Sequence, residues 1–121
     1  MTPFADEFLR YRNRTCLRQK EIAYALSVSV SYVSSWETGL KPPPGEELLD
    51  QLSELFSLSP AERKGFLRAA ELSRPLLRVP KNTSSSGYQL AHRLVERLPD
   101  LCPQQLALIS GILDLSVGGK T

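Results

Sequence analysis

The chain reads as an all-α protein: five helices in an N-terminal domain and two more beyond a linker. Two observations carry this. Apolar residues recur at three- and four-residue steps in seven windows separated by proline, glycine or serine, and no segment carries the pattern of a strand.

Thr2 is a cap ahead of Pro3, which suits a first helical position, and Phe4, Phe8 and Tyr11 give a first helix over about residues 3–14. A second runs over about 19–26, with Ile22, Ala23 and Leu26 on one face. Ser29 caps a third, in which Val33 and Trp36 point inward, and Gly39 ends it. The prolines of Lys41-Pro42-Pro43-Pro44 hold the next segment extended. Leu48, Leu49, Leu52, Leu55 and Phe56 mark a fourth helix over about 45–56. Ser59-Pro60-Ala61-Glu62 offers a cap, a first-position proline and a capping-box glutamate, opening a fifth helix that runs to about Ser73 and buries Phe66, Leu67 and Ala70.

Pattern dissolves over residues 74–87, expected to be a linker that is flexible at its serine end. Two amphipathic helices follow at about 88–98 and 103–116, the second rich in leucine and isoleucine, and residues 117–121 are expected to be disordered. The domains read as 1–73, a linker 74–87 and a helical hairpin 88–116 that serves as a dimerisation element, because it carries more aliphatic surface than two helices can cover for themselves.

The 41% apolar content of 121 residues suffices for one modest core. No run reaches the roughly 20 apolar residues of a membrane span, and no signal peptide opens the chain, so a soluble cytoplasmic protein is expected. Cys16 and Cys102 lie far apart, outside any C-x-x-C pair, and are expected buried and reduced. His92 stands alone as a helix-surface residue. With no metal-ligand spacing, cofactor signature or nucleophile–base pair, the chain is expected to be no enzyme and to carry neither metal nor cofactor.

The net charge of +2 hides a block pattern. Arg10, Arg12, Arg14, Arg18 and Lys20 cluster without an acid, residues 42–62 carry only acids, and bases return from Arg63 onward, offset only by Glu71 as far as Lys81. One basic face beside an acidic one is implied.

Residues Gln19 to Gly39 hold two short helical patterns meeting at a tight break. A helix that reads duplex DNA must be braced against a second helix, expose side chains able to meet base edges, and stand among groups that grip phosphates. Ala23, Val28 and Val33, with Ile22, Leu26 and Trp36, supply the brace. Val30, Ser31, Tyr32, Ser34 and Ser35 are its outward positions, flanked by the basic run and by Lys41.

The same residues resemble the Cro/C1-type helix-turn-helix family of phage repressors and xenobiotic-response-element regulators. The resemblance rests on Gln19, Ile22-Ala23, Ser27-Val28-Ser29, Val33-Ser34, Trp36-Glu37-Thr38-Gly39 and Pro42, and covers roughly residues 4–72. It implies a five-helix, lambda-repressor-like domain with residues 29–37 as the major-groove recognition helix. It further implies that Val30, Ser31 and Ser35 meet base edges, with Tyr32 and Ser34 at the groove margin. Gln19 would contact a phosphate and brace the recognition helix, and Arg12 would pair with Glu37, whose place at a helix C-terminus demands a cation. Arg10, Arg14, Arg18, Lys20 and Lys41 remain phosphate candidates. The chain departs from the family at Ser27, where glycine is usual in the turn (a cost of about 1 kcal/mol), and at Arg18, where a Ser or Thr cap is usual (about 0.5–2 kcal/mol).

The function expected is a transcriptional regulator, a repressor in the first instance, binding a double-stranded operator as a homodimer. Two alternatives stand beside it. One is an antitoxin that binds DNA with this domain and a toxin with its tail, and the other is a protein-interaction adaptor that has kept the fold. A toxin or RNA polymerase is the protein partner these readings imply.

Overall fold

The computed structural model describes residues 2–115, and the expected disordered tail 117–121 lies outside them. Among the described residues every regular element is helical: α1 (Pro3–Thr15), α2 (Gln19–Leu26), α3 (Val30–Thr38), α4 (Glu46–Leu55), α5 (Pro60–Leu72), α6 (Ser85–Arg97), a 3₁₀ turn (Leu98–Asp100) and α7 (Pro103–Leu113). The chain divides into two compact units, Met1–Leu77 and Arg78–Thr121.

In the first unit, helix starts follow the caps. The Thr2 Oγ1 accepts the amide of Ala5 at 3.1 Å, and the Ser29 Oγ accepts that of Tyr32 at 3.1 Å. The Ser59 Oγ accepts the amide of Glu62 at 3.2 Å while the Glu62 carboxylate accepts the amide of Ser59 at 2.9 Å, completing a capping box. At Arg18 half of such a box survives, because Glu21 accepts the Arg18 amide at 2.8 Å although the arginine side chain offers no acceptor.

The ends of α1, α2 and α4 share one device. Cys16, Ser27 and Ser57 lie in the left-handed region at φ 59, 58 and 53. At each, the following amide reaches back five residues to a helix carbonyl: Leu17 to Arg12, Val28 to Ala23 and Leu58 to Ser53. These are Schellman ends, and Leu17, Val28 and Leu58 each press an apolar side chain onto the core. The left-handed conformation expected at the α2–α3 turn is therefore present, carried by a serine.

The core is aromatic. Phe4, Phe8, Tyr11, Trp36, Phe56 and Phe66 are all buried, and Phe8 meets Trp36 edge-on at 5.6 Å. The Nε1–H of Trp36 has no protein acceptor, so the ring contributes through packing alone. Helix α1 packs on α3 and α5, α2 on α3 and α4, and α4 on α5, which sets α3 across α2 with one side free. Ser73 and Arg74 clasp the end of the unit. The Ser73 Oγ accepts the amide of Phe4 at 2.8 Å, and the Arg74 guanidinium donates to the carbonyls of Pro43 and Pro44 at 2.6 and 2.9 Å.

Two expectations are corrected. Both cysteines are exposed rather than buried: Cys16 occupies the left-handed turn that closes α1, and Cys102 precedes α7. The second correction concerns the serine run expected as flexible linker. Its last residues form the first turn of α6, because Ser84 accepts the amide of Gly87 at 3.0 Å and starts the helix.

In the second unit, α6 is amphipathic and α7 is uncharged and rich in leucine and isoleucine, yet none of their residues is buried.

Candidate nucleic-acid interface

The brace behind α3 centres on one carboxylate. Glu37, in the last turn, receives the Arg12 guanidinium through both oxygens, Nε on Oε2 and Nη2 on Oε1 at 3.3 Å. The Gln19 Nε2 also donates to Oε1, at 2.9 Å, and Arg12 Nη1 donates to the carbonyl of Leu17 at 3.2 Å. An anion at a helix C-terminus is disfavoured by the dipole, and a bidentate arginine offsets that penalty. One acid so ties α1, the start of α2 and the end of α3.

The free side of α3 begins at Val30, 42% exposed, and Ser31, also exposed. Tyr32 and Ser34 are half-buried, and Tyr32 leans on Trp36 with ring centroids 4.8 Å apart. Lys41 sets its ammonium 5.8 Å from the Tyr32 ring centroid, so the two side chains form one cationic, aromatic margin at the end of α3. Ser35 does not belong to this surface. It is 8% exposed, and its hydroxyl donates to the carbonyl of Tyr32 at 2.5 Å, which satisfies it inside the fold. That removes Ser35 from the side chains able to meet a base.

The five cations expected at phosphates separate into two groups. Arg18 and Lys20 at the start of α2, and Lys41 after α3, are exposed and have no carboxylate partner among the described residues. Arg10 and Arg14 are engaged elsewhere. Arg10 pairs with Glu7 at 2.8 Å and donates to the Tyr11 hydroxyl at 3.0 Å. Arg14 grips Glu62 of α5 at 2.6 and 3.4 Å, and reaches the carbonyl of Phe56 at 3.4 Å. Both guanidinium carbons stand 4.7 Å from the Tyr11 ring centroid. The hydrogen bond from Arg14, aided by the Ser59 amide, lowers the Glu62 pKa from 4.5 to about 2, and the Arg14 pKa rises in turn. A bidentately occupied guanidinium is a joint between helices rather than a phosphate grip.

Two exposed residues of α2 and α3 escape a reading by motif. Tyr24 is 89% exposed and stands four residues after Lys20, on the same face of α2. Thr38, in the last turn of α3, is exposed and returns its hydroxyl to the carbonyls of Ser34 and Ser35 at 3.4 and 3.3 Å. The spacing from Lys20 was the available signal for Tyr24.

No helix among the described residues is long and apolar enough to cross a membrane, and none of them form a cluster of three or more metal-ligating side chains. A family model described as a helix-turn-helix domain matches residues 3–66, more than half of the chain. No curated protein and no solved structure matches it.

Proposed function

Because the chain belongs to the helix-turn-helix domain family, we propose that it is a sequence-specific regulator of transcription that docks α3 in the major groove of duplex DNA. The observation that carries this reading is the pairing of a braced helix with an open, uncompensated cationic margin. Glu37 locks α3 to α1 and α2, while Arg18 and Lys20 at the start of α2 and Lys41 just past α3 are exposed and make no ion pair among the described residues.

In this reading Arg18, Lys20 and Lys41 grip phosphates and set the docking. Val30 meets a thymine methyl, and Ser31 and Ser34 bond base edges directly or through water. Tyr32 lies against the backbone at the groove margin. Gln19 serves first as a brace, since its amide N–H is committed to Glu37. The short reading side chains assign part of the specificity to DNA shape. The Cro/C1-type subfamily, a repressor's role and action in the cytoplasm on a two-fold operator complete the proposal, with two copies placing their α3 helices about 34 Å apart.

Selection of bound sequences from a random duplex pool, followed by salt titration on the winner, tests it. Three free cations per copy give about six phosphate contacts per pair, so affinity should fall by about 10³-fold between 50 and 200 mM salt. Lys20→Ala should flatten that slope and leave the selected sequence unchanged, whereas Ser31→Ala should relax the sequence. A pool that yields no enriched motif and a flat salt response would overturn the proposal.

A further inference from the structure

Helix α7 is largely apolar: eleven residues without a charge, with Leu106, Leu108, Ile109, Ile112 and Leu113 set against the polar side chains Gln104, Gln105 and Ser110. Such a helix persists in water only when other helices surround it. Here Leu108, Ile112 and Leu113 remain 68%, 63% and 77% exposed, although α6 lies in the same unit. Between them the two helices enclose a groove of about 270 Å³, walled by Leu90 and Leu94 on one side and Ile109 and Leu113 on the other. Its charged lining residues are both cations, Arg93 and Arg97.

We propose that a second copy of this chain packs its own α7 into the groove, so that the two α6–α7 pairs interlock as an antiparallel four-helix bundle. Charge chooses this occupant and its direction. Leu101 and Arg97 mark the end of the groove where α7 begins, and Asp114 directly follows the end of α7. An α7 seated antiparallel to its counterpart carries its Asp114 to that end, beside Arg97 and the positive N-terminus of the other α7. A parallel seating would instead bring the two Asp114 carboxylates together, away from Arg97. The interlocking covers each α7 on a second side and removes from water a patch that an isolated domain seldom exposes. It extends the DNA-binding reading by supplying the second copy, and rests on that reading for this consequence only.

Sedimentation equilibrium of the full chain without DNA tests it. The native chain should be a dimer across the micromolar range. Asp114→Arg and Arg97→Asp should each weaken association by about tenfold or more, and the two together should restore it. Both positions are exposed in the single chain, and helical circular dichroism shows whether each variant stays folded. A monomer at all concentrations overturns the proposal, as does a monomer whose groove is filled only on adding an anionic amphiphile such as dodecanoate. A dimer indifferent to both reversals overturns it too, and failure of the double variant to recover overturns the antiparallel pairing. A dimer without affinity for any DNA would sink the DNA reading and leave this one standing.

Discussion

Glu37 and Glu62 are the two side chains on which most else in the first unit turns, for different reasons. Glu37 is 12% exposed at its side chain and is satisfied only by groups arriving from α1 and α2. Arg12→Ala leaves it without its cation at the negative end of α3 and should destabilise the protein by about 1–3 kcal/mol in urea unfolding. Removing both charges with Arg12→Met and Glu37→Leu should recover most of that loss; if the double variant is as unstable as the sum of the singles, the pair is not coupled. Glu62 closes the α5 capping box and holds Arg14 together. Its carboxyl is lowered from 4.5 to about 2 in the fold, so the unfolded chain binds the proton first as pH falls. The stabilisation is therefore present above about pH 4.5 and is lost as pH falls through about 2. Thermal unfolding of Glu62→Gln should run below the native chain at neutral pH, and the gap should close across that window. A gap of constant size from neutral to acid would show that the Arg14 pair contributes nothing.

At the scale of elements, the Schellman ends of α1, α2 and α4 all occur without glycine. A side chain in the left-handed region costs energy that glycine avoids, so Ser27→Gly should stabilise the protein by about 0.5–1 kcal/mol in the same urea assay. A neutral or destabilised variant would mean that the Ser27 side chain makes a compensating contact. Helix starts and stops were legible from sequence because a cap is local: Thr2, Ser29, Ser59 and Gly39 each act within a turn of their own position. Ser84 is the same signal, and the serines around it masked it. What was not legible depends on approach between distant elements. Nothing near Arg14 announces Glu62, which stands 48 residues away, and only the packing of α5 on α1 makes them partners. Ser35 failed as an outward residue for a related reason. A serine carries no hydropathy that marks it as inside, and in a nine-residue helix flanked by both α1 and α2 the free arc is narrow. The Arg12–Glu37 pair was legible only through resemblance to a family, and the Gln19 brace likewise.

At the scale of the molecule, two units of different character share one chain. The first closes an aromatic core, whereas the second leaves its apolar helices open. Arg74 stands close to the end of the first unit, one residue past the domain boundary that residue patterns indicate at 73. Through two hydrogen bonds it holds the carbonyls of Pro43 and Pro44, and so the segment by which the chain leaves α3. A chain shortened after Leu77 should unfold as cooperatively as the first unit does within the full chain. One shortened after Ser73 should melt lower and lose amide protection first in residues 39–45, as hydrogen exchange would show. Equal protection in the two shortened chains would relieve Arg74 of this role. The consequence is a matter of where a gene may be cut: the smallest heritable piece able to hold α3 in working order ends after an arginine that lies outside every helix of the unit.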